Sequence, residues 1–124
     1  MRGVIANRDR ASQITEFSGL RYGKITPTDI DGMIDFQNKR WVIFELKFSG
    51  AEMPFGQRLA LERLTDALAI TKPSICFVAE HNNPIGDDII AHLAYVKTYR
   101  YKGAWRLPKV PMNLGDAISK FLEM

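Results

Sequence analysis

Apolar and polar positions change period several times along this chain, and each change marks an element. Residues 7–18 read as a short helix with Gly19 as its stop, and residues 20–25 predict a first strand. Residues 28–36 and 40–48 alternate with period two on either side of Gln37-Asn38-Lys39, which predicts a hairpin. Ser49-Gly50 breaks the alternation. Pro54 then opens a helix to about residue 70, with Leu61, Leu64 and Leu68 on one stripe, and Lys72-Pro73 ends it. Residues 74–80 (Ser-Ile-Cys-Phe-Val-Ala-Glu) are apolar enough for a central strand. A loop follows through Asn82-Asn83-Pro84 and Gly86-Asp87-Asp88, and residues 89–95 carry no clear pattern. Residues 96–105 predict a last strand or hairpin, and Asn113 caps a final helix with Leu114, Ile118, Phe121 and Leu122 on its apolar side. Helix, three strands, helix and strand in that order predict an α/β fold, a mixed sheet flanked by helices.

Register decides where the acids of the hairpin point. Side chains alternate faces along a strand, so Asp29, Asp31, Met33 and Asp35 share one face of the first hairpin strand. On the second, Trp41, Ile43, Glu45 and Lys47 share a face, opposite to Val42, Phe44, Leu46 and Phe48. A three-residue turn at 37–39 pairs Phe36 with Arg40 and Ile34 with Val42, and sets Asp31 across from Glu45 and Asp29 across from Lys47. A four-residue turn would oppose Asp31 to Leu46 and mix the two faces, so the patterning selects the shorter one. Asp31 and Glu45 then have Cβ atoms roughly 4.5–5.5 Å apart. Two like charges at that distance destabilise a sheet unless a cation neutralises them. Mg²⁺ suits the role, since it takes one or two carboxylates and leaves its other positions to water and phosphate oxygens. Lys47, on the same face, is placed to hold an attacking water or a phosphate. Glu45-Leu46-Lys47 is also the only place in the chain where an acid stands two residues before a lysine or arginine. The plainer alternative is a solvated stripe of charges on an edge strand, with Asp31 a turn residue.

Length and composition narrow the setting without naming the chemistry. At 124 residues the chain predicts one domain over 1–124, small for an enzyme acting alone on a polymer, so self-association is expected. A net charge of +3 allows a polyanionic partner without requiring one. No run approaches the ~20 apolar residues of a membrane span, and the apolar run at the N-terminus is too short for a signal peptide. A single cysteine, Cys76, excludes an internal disulfide and a cysteine-based zinc site. It reads as a small buried hydrophobe. A cytoplasmic location is the expectation. His81 and His92 have no partners at ligand spacing, and no phosphate-cradling glycine motif or Gly-x-Ser-x-Gly is present.

With Asp31 and Glu45-Leu46-Lys47 on the page, the chain resembles the PD-(D/E)xK nuclease superfamily. The shared α-β-β-β-α-β core of that superfamily matches the order read over residues 7–80. The resemblance implies a restriction-endonuclease-like fold and a Mg²⁺- or Mn²⁺-dependent endonuclease acting on DNA. Its metal would be held by Asp31 and Glu45, with Glu16 of the first helix as a further ligand. Gln57, early in the helix opened by Pro54, matches the polar residue that many members carry near the active centre. The proline of the superfamily's name does not directly precede an acid here: Pro27-Thr28-Asp29 has one residue between. Asp29 and Asp31 therefore both stand as candidates, with Asp31 favoured by the register. Small members resemble junction or flap nucleases that work as homodimers.

A second stretch, residues 95–106, interleaves Lys97, Arg100, Lys102 and Arg106 with Tyr95, Tyr99, Tyr101 and Trp105. Bases neutralise phosphates and aromatics stack on unpaired bases, so these four side chains are candidate DNA contacts. An amphipathic hairpin with half-buried rings explains the same pattern. The alternative for the whole chain is a non-catalytic nucleic-acid-binding or assembly module on a nuclease-like fold.

Overall fold

A computed structural model of the protein describes residues 17–124. Residues 7–16 of the first predicted helix, and Glu16 with them, lie outside the described residues. Seven elements follow: β1 (Gly32–Phe36), β2 (Arg40–Phe48), α1 (Phe55–Ala69), β3 (Ser74–His81), β4 (Tyr95–Tyr101), β5 (Ala104–Arg106) and α2 (Leu114–Leu122). Short 3₁₀ turns stand at Ser18–Leu20 and Ala91–Leu93. The five strands form one mixed sheet in the order β1-β2-β3-β4-β5. Only the β2–β3 pair is parallel, joined by α1, and the other neighbours are antiparallel.

The hairpin has the register that patterning requires. Phe36 pairs with Arg40, Ile34 with Val42 and Gly32 with Phe44. Gln37 and Asn38 take left-handed backbone angles, Lys39 N–H donates to the Phe36 carbonyl at 2.9 Å, and Asn38 N–H donates to Asp35 Oδ1 at 2.7 Å. Asparagine and a short carboxylate suit such a turn, because both bond to nearby backbone groups. The second strand begins and ends where predicted, whereas the first starts at Gly32 rather than at residue 28.

The strand predicted over residues 20–25 is replaced by a local turn. Gly23 has φ +66°, and Tyr22 and Ile25 exchange both backbone hydrogen bonds with each other. Groups that a ladder would use are thus satisfied within four residues, and Leu20, Tyr22 and Ile25 are all exposed, with no apolar face to bury.

Each face of the sheet packs against one helix. Val42, Ile75, Phe77, Ala79 and Val96 face Leu114, Ala117 and Phe121 of α2. Asn113 caps that helix by accepting from the Asp116 N–H at 2.8 Å. On the other face Ile43, Cys76 and Leu61 form a smaller core, edged by Met53, Leu64, Leu68 and Trp105. β3 lies between two partners and under both helices, which accounts for a run buried from Ser74 to Glu80. The residues without clear pattern resolve into the Ala91–Leu93 turn, and the segment after it forms the β4–β5 hairpin. No helix among the described residues is long and apolar enough to cross a membrane.

Gly32 pins the start of the hairpin. The ring of Phe44, directly across, covers it so closely that an added Cβ would lie 2.0 Å from Phe44 Cζ. Gly32→Ala therefore forces the half-buried ring out of its rotamer, and the expected loss is about 1–3 kcal/mol by urea denaturation. Phe44→Leu in the same chain should make the added methyl less damaging. Equal loss with and without the ring would show that the contact does not govern the hairpin.

Candidate active site

The α1 face of β2 carries Glu45 and Lys47, two residues apart at the far end of the strand from the hairpin turn. Asp31 immediately precedes β1, and continuing the observed register places it across from Glu45. Its Oδ2 accepts the Leu46 N–H at 2.7 Å, so the carboxylate continues the ladder where the strand backbone has ended.

Glu45 is buried, only 3% exposed, and its Oε2 has no hydrogen-bond partner. Burial pushes its carboxyl up to about 8, helped by the carboxyl–carboxyl hydrogen bond and charge of Asp31 and, last in order, the charge of Asp29, against the opposing pull of Lys47. The Asp31 carboxyl thus acts on Glu45 more strongly than that of Asp29 does. An orphaned buried carboxylate oxygen is rare enough to require an explanation.

Lys47 Nζ donates to Gln57 Oε1 at 2.7 Å. Gln57 is the third residue of α1 and lies half-buried on the same side as Leu61, so the first turn of the helix reaches over the end of β2. The structure therefore brings Asp31, Glu45, Lys47 and Gln57 together. Among the described residues no three His, Cys, Asp or Glu side chains converge as a metal cage, so the acids form a pair.

Sequence patterning missed Glu80. It pairs in parallel register with Lys47, is 8% exposed, accepts from Gly50 N–H at 3.3 Å and lies 3.2 Å from Lys97 Nζ. The signal was present: an acid ending an apolar strand, on the same face as Cys76 and Val78, is the pattern that singled out Glu45. The register shift between Val78 and Ala79 leaves Lys97 as the extra residue of a bulge, with Thr98 and Val96 taking the neighbouring pairs. The bulge delivers Lys97 to Glu80, and so to this end of the sheet.

The other three bases of residues 95–106 go elsewhere. Arg100 donates from Nε and Nη2 to the two carboxylate oxygens of Asp66, at 3.0 and 2.6 Å, and its Nη1 lies 3.5 Å from Glu62. That pairing holds the Asp66 carboxyl below its usual range. Arg100, a candidate DNA contact by sequence, is engaged here as a tie between β4 and α1. Lys102 sits in the β4–β5 turn with its ammonium 5.4 Å from the Tyr101 ring centre. Arg106 pairs with Tyr99 and so belongs to the α2 face, where its Nε donates to the Tyr101 carbonyl at 2.9 Å. Neither lies beside Glu45 and Lys47.

A cleft of about 400 Å³ opens beside Lys47, lined also by Arg58, Lys97 and Trp105. His81 lies outside it, with Nδ1 accepting from Asn83 N–H at 3.1 Å. Cys76 is buried and its thiol is pushed up to about 12, chiefly by burial, so it serves as core. In comparisons with known proteins, no family model, curated protein or solved structure matches the chain.

The raised Glu45 carboxyl fixes a pH dependence. It holds its proton to about 8 in the fold and releases it near 4.5 when unfolded. Between those values the native state binds the extra proton, so stability falls as pH rises from about 4.5 to 8 and levels off above. Urea midpoints at pH 5 and pH 8 should differ accordingly, and Glu45→Gln, which cannot titrate, should flatten the profile. A wild-type midpoint that rises over this window would refute the buried-acid assignment.

Proposed function

We propose that this chain is a metal-dependent endonuclease of the PD-(D/E)xK type, hydrolysing DNA phosphodiester bonds on a restriction-endonuclease-like fold. One observation carries the reading: a buried Glu45 oxygen without a partner stands against Asp31, with Lys47 held on the same face. The order β1–β2 hairpin, crossover helix α1, and β3 parallel to β2 supports the fold assignment, being the order the superfamily has after its first strand.

The donor set fits a hard divalent cation. Two carboxylates, one with an unused oxygen, suit Mg²⁺ or Mn²⁺, which fill their remaining positions with water and phosphate oxygens. Asp31 and Glu45 would hold the ion. Bound there, it supplies a more acidic water and a polarised phosphoryl group. Lys47 contributes a cation two residues along, fixed in direction by the Gln57 carbonyl oxygen, for the attacked phosphate or the water that attacks it. Gln57 is a positioning residue, acting through Lys47.

The site's setting favours internal cutting. Asp31 is exposed at the start of edge strand β1, so among the described residues its carboxylate, beside the buried Glu45, is open from the side. A strand can reach it laterally and need not thread from an end.

Purified protein with Mg²⁺ or Mn²⁺ and a panel of single-stranded, duplex, flap and four-way-junction DNA tests the proposal directly. Cleavage is expected, with Lys47→Ala lowering it by about 100-fold or more. Glu45→Gln should also abolish the Mg²⁺ binding heat in calorimetry. Undiminished binding in Glu45→Gln, or folded wild-type protein that cuts no substrate on the panel, would overturn the reading.

A further inference from the structure

The cleft beside Lys47 has features that the acid pair does not use. Lys47, Arg58 and Lys97 line it against one carboxylate, Glu52, and Trp105 forms a wall. The Arg58 guanidinium lies 5.4 Å from the centre of the Trp105 ring, so charge and flat surface are joined in one unit. That unit is held in place: Trp105 Nε1 donates to Glu62 Oε1 at 2.8 Å, and Glu62 also meets Arg100. Lys47 and Lys97 each have one recorded partner, Gln57 and Glu80. An ammonium has three donors, so both retain capacity for phosphate oxygens.

Size selects among nucleic acids. At about 400 Å³ the recess is a small-ligand pocket, near the lower end of the roughly 300–1,000 Å³ range of such sites. A volume of that order suits a single nucleotide. In a duplex, moreover, base faces are covered by stacking, whereas an unpaired base offers its face to an aromatic ring or a guanidinium plane. Two lysines for a phosphate, one of them the lysine assigned to the scissile phosphate, and a flat cationic wall for a base thus line one recess.

We infer that this cleft is a subsite for a single unpaired nucleotide, with its phosphate toward Lys47 and Lys97 and its base against the Arg58–Trp105 wall. The inference rests on the nuclease reading for the substrate being DNA and selects, within it, a strand with unpaired bases next to the cut.

Binding without metal separates the two. In the Trp41→Phe protein Trp105 is the sole indole. With EDTA present, an oligothymidine of about ten nucleotides should change its emission saturably, and a duplex of the same length should bind at least tenfold more weakly. Arg58 and Lys97 are exposed, so their alanine variants should fold normally. Each should weaken oligothymidine binding about tenfold. No emission change with the single strand, or equal affinity for the duplex, overturns the subsite even if Mg²⁺-dependent cleavage is observed. Single-strand binding that depends on Arg58 and Lys97 supports it even if no substrate is cut, an outcome that would overturn the nuclease reading alone.

Discussion

Phe36 opposite Arg40 leaves three residues for the hairpin turn, and the composition of both sheet faces follows from that count. Because side chains alternate, a slip of one residue along β1 would bring Leu46 across from Asp31 and set apolar residues against polar ones. The hairpin is fixed at both ends. At the turn, Asp35 and the left-handed Gln37-Asn38 pair hold the chain reversal. At the open end, the Phe44 ring lies over Gly32 and the Asp31 carboxylate takes the Leu46 N–H. The acid that faces Glu45 is therefore also part of the hydrogen bonding that sets the register, so site and fold share a residue.

The second requirement is that α1 lie over the end of β2. Its apolar contact with the sheet is modest, resting on Leu61 with Leu64 and Leu68. Polar ties supplement it: Asp66 and Glu62 to Arg100, and Glu62 to Trp105. These join the helix to β4 and β5, across the sheet from the hairpin. With α1 held there, Gln57 in its first turn meets Lys47, and Arg58 meets Trp105. Arg100 thus serves the site from a distance by fixing the helix, and Asp66, partly open to solvent, makes that tie an orienting contact more than a large source of stability.

What could be read in the sequence was what strict local periodicity encodes. The span of β2, the hairpin register, the Asn113 cap and the face shared by Glu45 and Lys47 all follow from a period of two or from capping chemistry acting within a few residues. The segment at residues 20–25 had the composition of a strand, but Gly23 closes it on itself, and composition does not report that choice. Arg100 and Lys97 looked equivalent along the chain. A helix far away in sequence claims one, and a bulge turns the other toward Glu80, so their difference is tertiary. Glu80 was within reach of the same reasoning as Glu45. The basic residues around it, Arg58 included, became a set only when the α1 crossover brought them to one cleft.

Net charge explains little about how such a site would meet a polyanion, whereas the separation of charge within it explains more. Asp31 repels phosphate, and Glu45, which holds its proton to about 8, adds to that repulsion once ionised, at short range and poorly screened because it is buried. A phosphate can approach only where positive charge outweighs it. Lys47 stands at the boundary, two residues from Glu45 on one side and lining the basic cleft on the other. A cation held by the acid pair would reverse the sign on the acidic side and leave the whole face attractive to phosphate. Metal and nucleic acid would then favour each other's binding, since each offsets charge that the other must face. On this argument the unsatisfied Glu45 oxygen is a feature that makes the acidic half of the site dependent on a ligand, while the basic half stands ready without one.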